Sequence, residues 1–327
     1  MRVRYFCLFL LLGFTVPLLL SSNAQELPWS QRMANTTTQR WPDGKFVAND
    51  TLWKWNYELG VLLQGMADVW YHTGDATYYK YIKSAVDNLV SSDGSIPTYR
   101  PEDNELDDLA LGRTLLLLYG VTQDAKYYKA AKLLRDQLKV HPRTTEGGFW
   151  HKQKYPNQMW LDGLYMAGPF YANYAVTFYE PQDFQDITKQ FVLMARHAHD
   201  SKTGLLYHGW NETRQQHWAN QSTGASPTFW ARGMGWYMMA LVDTLPYYQS
   251  DGRRAQLLDI LRRLAASITR YQDKETGLWY QVMDKPHKKD NYFESSACLH
   301  MRLQKAYGWD TCNHPTHKTL NGHGKAF

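Results

Sequence analysis

The sequence predicts an all-α protein built as a double-walled toroid of helices, and three observations carry that reading. Helical segments of two kinds alternate along the chain, one apolar nearly all round and one amphipathic. Short motifs return at a spacing of roughly 50 residues, as repeated supersecondary units do. No sustained run of alternating apolar and polar residues marks a strand.

At the start of the chain, Arg2 and Arg4 precede an apolar run from Phe6 to Leu20, and Ser22-Asn23-Ala24 then offers small residues for cleavage. This is the pattern of a secretory signal peptide over residues 1–24. The run is short for a spanning helix and its far flank is polar, which argues against an anchor. The expected location is therefore secreted or periplasmic, with no stable membrane association after cleavage. The rest of the 327 residues suits one large toroid or barrel.

Formal net charge is +5, but Arg2 and Arg4 carry two of it, and Arg302, Lys305, Lys318 and Lys325 against Asp310 carry three more. The body between is neutral and has no basic stripe to follow phosphates, so nucleic acid is not an expected partner. Cys7 lies in the leader and Cys298 and Cys312 at the far end, so the body has no disulfide framework and needs a packed core. An aromatic share of 15% supplies rings for such a core, and equally for sugar contacts.

Within the body, Leu109 to Tyr119, Met166 to Tyr179 and Met234 to Leu245 are apolar nearly all round and read as buried helices. Tyr127 to Val140, Asp183 to His197 and Arg254 to Ile268 are amphipathic; in the last, Leu257, Leu258, Leu261, Leu264 and Ile268 recur at three- and four-residue steps. Gly74-Asp75-Ala76-Thr77-Tyr78-Tyr79-Lys80 returns as Gln123-Asp124-Ala125-Lys126-Tyr127-Tyr128-Lys129, each Asp placed to cap the amphipathic helix that follows. A second repeat, Gly148-Phe149-Trp150, Gly204-Leu205-Leu206-Tyr207 and Gly277-Leu278-Trp279-Tyr280, reads as extended loops placing aromatics on one rim. An open superhelix would share this alternation, but long loops such as Pro142 to Trp160 suit a ring with a ligand-binding mouth.

Two acidic motifs stand at the starts of buried helices: Leu106-Asp107-Asp108-Leu109-Ala110-Leu111-Gly112-Arg113 and Trp160-Leu161-Asp162-Gly163-Leu164-Tyr165-Met166-Ala167-Gly168-Pro169-Phe170. Helix capping and catalysis are both open for either. Asp162 lies between Trp160 and Tyr165 on an almost wholly apolar helix, and burial beside rings disfavours the charged form of a carboxyl and suits it to deliver a proton. One repeat apart in a toroid, the motifs would bring two carboxyls to one cavity, the usual minimum for glycoside chemistry. A third cluster, Ser226 to Tyr237, sets Arg232 between Trp230 and Trp236, either to fork onto a ligand carboxylate or to pack on the rings. His151-Lys152 and His208 fall on loops at the same rim, where a histidine is as often a structural donor as a ligand. Asn35, Asn49, Asn211 and Asn220 fit the short glycosylation sequon, and the body offers no metal constellation and calls for no cofactor.

Asp107 to Arg113, Trp160 to Phe170, Trp230 to Tyr237 and Asn291 to Ala297 together resemble glycoside hydrolase family 105, over a stretch from about Trp53 to Ala297. The resemblance implies an (α/α)6 barrel and an unsaturated rhamnogalacturonyl hydrolase. Its substrates are oligosaccharides ending in the 4,5-unsaturated uronic acid left by a polysaccharide lyase, usually linked to rhamnose from pectin. Asp162 matches the acid/base that protonates carbon 4 of the vinyl ether and activates water for carbon 5, and Asp107 a second active-site carboxylate. Tyr57, His151, Lys152, Trp160, His208, Trp230, Arg232 and Trp236 match positions that line the substrate pocket. A lyase or ordinary glycosidase on the same toroid, or a carbohydrate-binding protein without catalysis, would share the fold.

The catalytic domain expected over residues 25–298 lacks a final apolar inner helix. From Leu299 the chain carries Arg302, Lys305 and Asp310 where that helix should be, then Cys312, His314, His317 and His323, which resemble a metal-binding tract. Codons for Leu299 to Cys312 can be chosen that, read one base earlier, encode FTYAFAKGVRMGYL, a helix of the missing kind. Residues 299–327 are therefore read as a frameshifted tail on a barrel incomplete at its C-terminus.

Overall fold

The computed structural model describes residues 27–47 and 53–297. The expected signal peptide and the expected frameshifted tail lie outside them. Among the described residues the chain is a succession of helices: α1 (Trp29–Arg40), α2 (Tyr57–Thr73), α3 (Ala76–Asp87), α4 (Gly112–Thr122), α5 (Ala125–Val140), α6 (Leu161–Thr177), α7 (Asp183–Ala198), α8 (Ala231–Thr244) and α9 (Gly252–Arg270). The all-α expectation holds. None of the described helices is long and apolar enough to cross a membrane.

Two walls follow from burial. α6 buries 13 of its 17 residues and α8 buries residues on all its faces, so each must have neighbours all round. α2, α4, α6 and α8 pack side by side as an inner wall, while α3, α5, α7 and α9 each lie against the inner helix before them. A first helical turn at Ser295–Ala297 begins the next element. The ion pair Arg113 to Asp243, 2.7 Å long, ties α4 to α8 across the inner wall.

The first sequence repeat has a local cause. Gly74 (φ 68°) and Gln123 (φ 56°) close α2 and α4 in the left-handed conformation. The next residue then caps the outer helix: Asp75 accepts from the Thr77 amide at 2.8 Å and Asp124 from the Lys126 amide at 3.0 Å. Gln123, lacking glycine's freedom, is helped by its side chain, which donates to the Tyr119 and Gly120 carbonyls. Asp251 caps α9 through the Arg253 and Arg254 amides.

The second repeat departs from expectation. Its segments are extended and pair with residues just after the outer helices, at Arg143 with Phe149 and His199 with Leu206. Phe149 and Trp279 nevertheless point into the core, at 4% and 1% exposure, and the Trp279 indole donates to the Ile268 carbonyl. They are packing plugs between the walls, because an extended segment alternates its side chains and sends every second one inward.

Close approach of the inner helices depends on glycine. A Cβ on Gly112 would lie 2.3 Å from the Phe170 ring, which is fully buried on α6. Gly112→Ala should therefore overpack the inner wall and cost about 1 to 3 kcal/mol. Urea denaturation of both proteins checks this, and an unchanged midpoint would show that Phe170 moves aside freely.

Candidate active site

The side chains singled out in the sequence converge where the inner helices begin. The segment before α6 is strand β1 (Gln158–Trp160), which pairs antiparallel with β2 (Gly209–Asn211), setting Trp160 opposite Gly209. This ladder holds two loops together, one ending in Trp160 and the other carrying His208. Asn211, one of the sequon residues, is buried here with its amide on the Pro156 and Asn157 carbonyls, so it is no accessible glycan acceptor.

Capping does not account for the two aspartates. The residue at the cap of α6 is Trp160, and no side chain caps that helix. Asp162 sits one step inside it, with a buried Oδ1 that has no hydrogen-bond partner and lies 3.9 Å from His208 Nε2. Asp107 opens a short 3-10 turn, Asp107–Leu111, that leads into α4, again without a side-chain cap. Its Oδ2 is 2.7 Å from Lys152 Nζ and its Oδ1 3.5 Å from His151 Nε2, beyond good hydrogen-bond length. Lys152 also pairs with Glu105. Burial pulls the Lys152 ammonium down, but Asp107 and Glu105 outweigh it and hold the group well above the usual lysine range.

The two histidines are placed by one device used twice. A Cβ on Gly163 would stand 2.9 Å from His151 Nδ1, and a Cβ on Gly233 2.9 Å from His208 Nδ1. Each glycine lies one residue past the functional side chain of its helix, Asp162 on α6 and Arg232 on α8, and three past the tryptophan that precedes the helix. Trp160 stacks on His151 at 4.5 Å and on Tyr155 at 4.8 Å, and Trp230 meets His208 edge-on at 4.7 Å. Burial pulls His151 down to about 4, against the charge of Asp162, and lowers His208 likewise. Both rings are thus neutral near pH 7 and act as hydrogen-bonding groups rather than cations.

At the start of α8 stands Arg232, whose guanidinium carbon lies 4.7 Å over the Trp230 ring. Its Nη1 is 3.3 Å from Oε1 of Glu294, a partner that the sequence did not reveal although Asn291 to Ala297 was part of the resemblance. Tyr57, at the start of α2, joins this group: burial raises its phenol, Glu58 and Asp107 raise it further, and Arg232 acts against them. Trp236 lies deeper, 9% exposed against Tyr165, so its part is more in the floor than in the mouth. Asp108 falls on the other flank of its motif, pushed up to about 7 by burial and by Glu105 and Asp107, with Lys152 and Lys54 opposing. The geometry thus separates the two aspartates: Asp107 meets His151 and Lys152, and Asp108 does not.

Four buried polar atoms without hydrogen-bond partners fall together here: Asp107 Oδ1, Asp162 Oδ1, His151 Nδ1 and His208 Nδ1. Leaving such a group unpaired costs about 1 to 3 kcal/mol, and while the two ring nitrogens are turned against Gly163 and Gly233, the two carboxylate oxygens mark a site arranged for a ligand rather than for stability. A cavity lies beneath this cluster, between α6 and α7, and reaches Trp160 and Gly163. Its lining is mostly apolar, with Met159, Ala167 and Phe191, and carries Tyr171 and Gln190 but no carboxylate, histidine or cation.

Residues 29–303 match the sequence profile described as Glycosyl Hydrolase Family 88. The chain is 30% identical over 255 residues to the unsaturated rhamnogalacturonyl hydrolase YesR of Bacillus subtilis, spanning 74% of this chain and 67% of that one. A family 105 glycoside hydrolase of C. acetobutylicum ATCC 824 superposes with a TM-score of 0.83 at 38% identity, covering 88% of this chain and 79% of the other. The unsaturated glucuronyl hydrolase of Bacillus sp. GL1 shares the fold, with a TM-score of 0.62 at 15% identity over 83% of this chain and 74% of its own.

A neutral His151 has a consequence for stability. With its pKa at about 4 in the fold, the folded protein binds no proton here as pH falls from 6.5 toward 4, whereas the unfolded chain does. Stability therefore declines through that window, by about 2 kcal/mol between pH 7 and pH 5 from this ring. His151→Gln should lose correspondingly less over the same interval in denaturant titrations. Equal losses in the two proteins would mean that the ring is charged in the fold.

Proposed function

The chain belongs to the glycosyl hydrolases of families 88 and 105, and on that premise we propose that it hydrolyses 4,5-unsaturated uronyl oligosaccharides of the rhamnogalacturonan type by hydrating their vinyl ether. The observation that carries the reading is the pairing of a partnerless buried carboxyl, Asp162, with a tryptophan-backed Arg232 at the matching position of the next inner helix. One supplies a proton and the other a fork for a carboxylate.

In this reading the unsaturated uronate lies with its carboxylate toward Arg232 and its double bond over Asp162. Asp162 gives its proton to carbon 4, and positive charge develops on carbon 5 and the ring oxygen. The resulting carboxylate takes a proton from the water that adds to carbon 5, so the group ends as it began. The hemiketal then opens and the glycosidic bond breaks without further help. His208, neutral and 3.9 Å from Asp162, is placed to accept or donate a hydrogen bond to the water or to a sugar hydroxyl. Asp107, fixed by Lys152, faces the same space. Support for rhamnose as the neighbouring sugar comes from the likeness to YesR. We further propose that the protein is exported, on the strength of its basic then apolar first residues.

Mixing the purified chain with the unsaturated rhamnogalacturonan disaccharide should bleach the double-bond absorbance. Asp162→Asn should bind the disaccharide and turn it over at least about a thousandfold more slowly, since an amide keeps the shape and cannot supply the proton. Near-normal turnover by that variant would remove Asp162 from the mechanism.

A further inference from the structure

We infer that Glu294 is the positioning residue for Arg232, and that through it the loop after α9 sets the preference of the site for a substrate that carries a carboxylate; this rests on the function proposed above. Glu294 is 5% exposed, falls in the Asn291 to Ala297 stretch and is separated by 62 residues from the arginine it meets. Its own amide donates to the Trp279 carbonyl at 3.0 Å, which ties its backbone to the buried plug of the inner-outer junction.

Both carboxylate oxygens are committed. Oε2 accepts from the Ala297 amide at 2.6 Å and from Ser296 Oγ at 2.8 Å, capping the helical turn that begins at Ser295. Oε1 faces Arg232 Nη1 at 3.3 Å and Ser296 Oγ at 2.9 Å. Only a carboxylate offers acceptors on both sides. The guanidinium is thereby held at one nitrogen by Glu294 and across its face by Trp230, whose indole is itself oriented by Gln281 Oε1 at 3.3 Å. A guanidinium has five N–H donors, and one hydrogen bond to Glu294 leaves a fork for a second carboxylate. A buried anion behind an arginine therefore fixes where the cation points; it does not use up its binding capacity.

A purely structural reading makes Glu294 a helix cap, with Arg232 beside it by chance. The two readings separate on ligand charge. In Glu294→Gln a single amide oxygen can serve only one side; if it stays on Ala297, the amide nitrogen is turned toward Arg232, donor against donor. Affinity for the unsaturated uronyl disaccharide, measured by calorimetry, should then fall roughly tenfold, the worth of one charge-assisted hydrogen bond, while affinity for its methyl ester stays put. Turnover number should change far less than KM. Ser296→Ala, which removes a hydroxyl that donates to both Glu294 oxygens but leaves both acceptors in place, should lower the melting temperature and keep most of the acid-to-ester preference. In an Arg232→Ala background, Glu294→Gln should have no further effect on acid binding.

Equal weakening of acid and ester by Glu294→Gln, or full additivity with Arg232→Ala, would overturn the proposal and leave Glu294 a cap. Circular dichroism and melting of each variant separate these outcomes from unfolding, and Glu294→Asp, with two acceptor oxygens on a shorter stem, should restore part of the preference. If the unmodified chain itself binds acid and ester alike, carboxylate recognition by Arg232 fails and this inference with it. If it prefers the acid and Glu294→Gln keeps that preference, only the role of Glu294 fails.

Discussion

A helix buried on every side can carry polar groups only where its backbone ends, and the rest of this structure follows from that constraint. α6 has apolar or small neighbours along nearly its whole length, so its chemistry is pushed into its first turn, at Asp162. α8 repeats the arrangement with Arg232, and the turn leading into α4 with Asp107. Because the inner helices all begin at one rim, three residues with no sequence proximity come to face one another. Arg113, also in the first turn of α4, is neutralised by Asp243 near the end of another inner helix. A buried cation is tolerable in that company and strongly destabilising without it.

The same close packing sets the electrostatics. Glycines 163 and 233 let His151 and His208 come down against the starts of α6 and α8. Desolvation then outweighs the attraction of the nearby Asp162 and keeps both imidazoles neutral. The site is left with carboxylates on one side, a lysine tied between two of them, and an arginine held by Glu294 on the other. An anionic ligand thus meets a cation whose direction is fixed, and an acid whose nearest basic ring is uncharged. Preorganised charge of this kind needs little rearrangement when the substrate arrives.

Much of this was legible in the sequence because it rests on local rules. Buried and amphipathic helices differ in the period of their apolar residues, and the expected segments fall within a few residues of α4 to α9. Asp75 and Asp124 cap as their repeat implies. The same aspartate chemistry left Asp107 and Asp162 undecided, because a cap and an acid look alike until the backbone amides are located. Pairings across long separations were not legible: nothing near Glu294 announces Arg232, and nothing near Glu105 announces Lys152. Nor could the sequence tell rim from core for Phe149 and Trp279, since in an extended segment a one-residue change of register reverses the answer.

Asp107 and Asp108 show how fine that register is. They are adjacent, chemically identical and at the start of the same turn, yet only one meets Lys152 and His151. Successive residues in a tight turn point about a third of a revolution apart, so the two side chains meet different neighbours. Asp108 has Glu105 and Asp107 as charged neighbours and is pushed up to about 7. A perturbed carboxyl is often taken as the sign of a catalytic acid. Here the group with the large shift is the one outside the cluster of partnerless atoms, and its shift follows from burial and crowding by like charge. Geometry has to come first in reading such a site, and it puts Asp107 and Asp162 among the partnerless atoms and leaves Asp108 outside them.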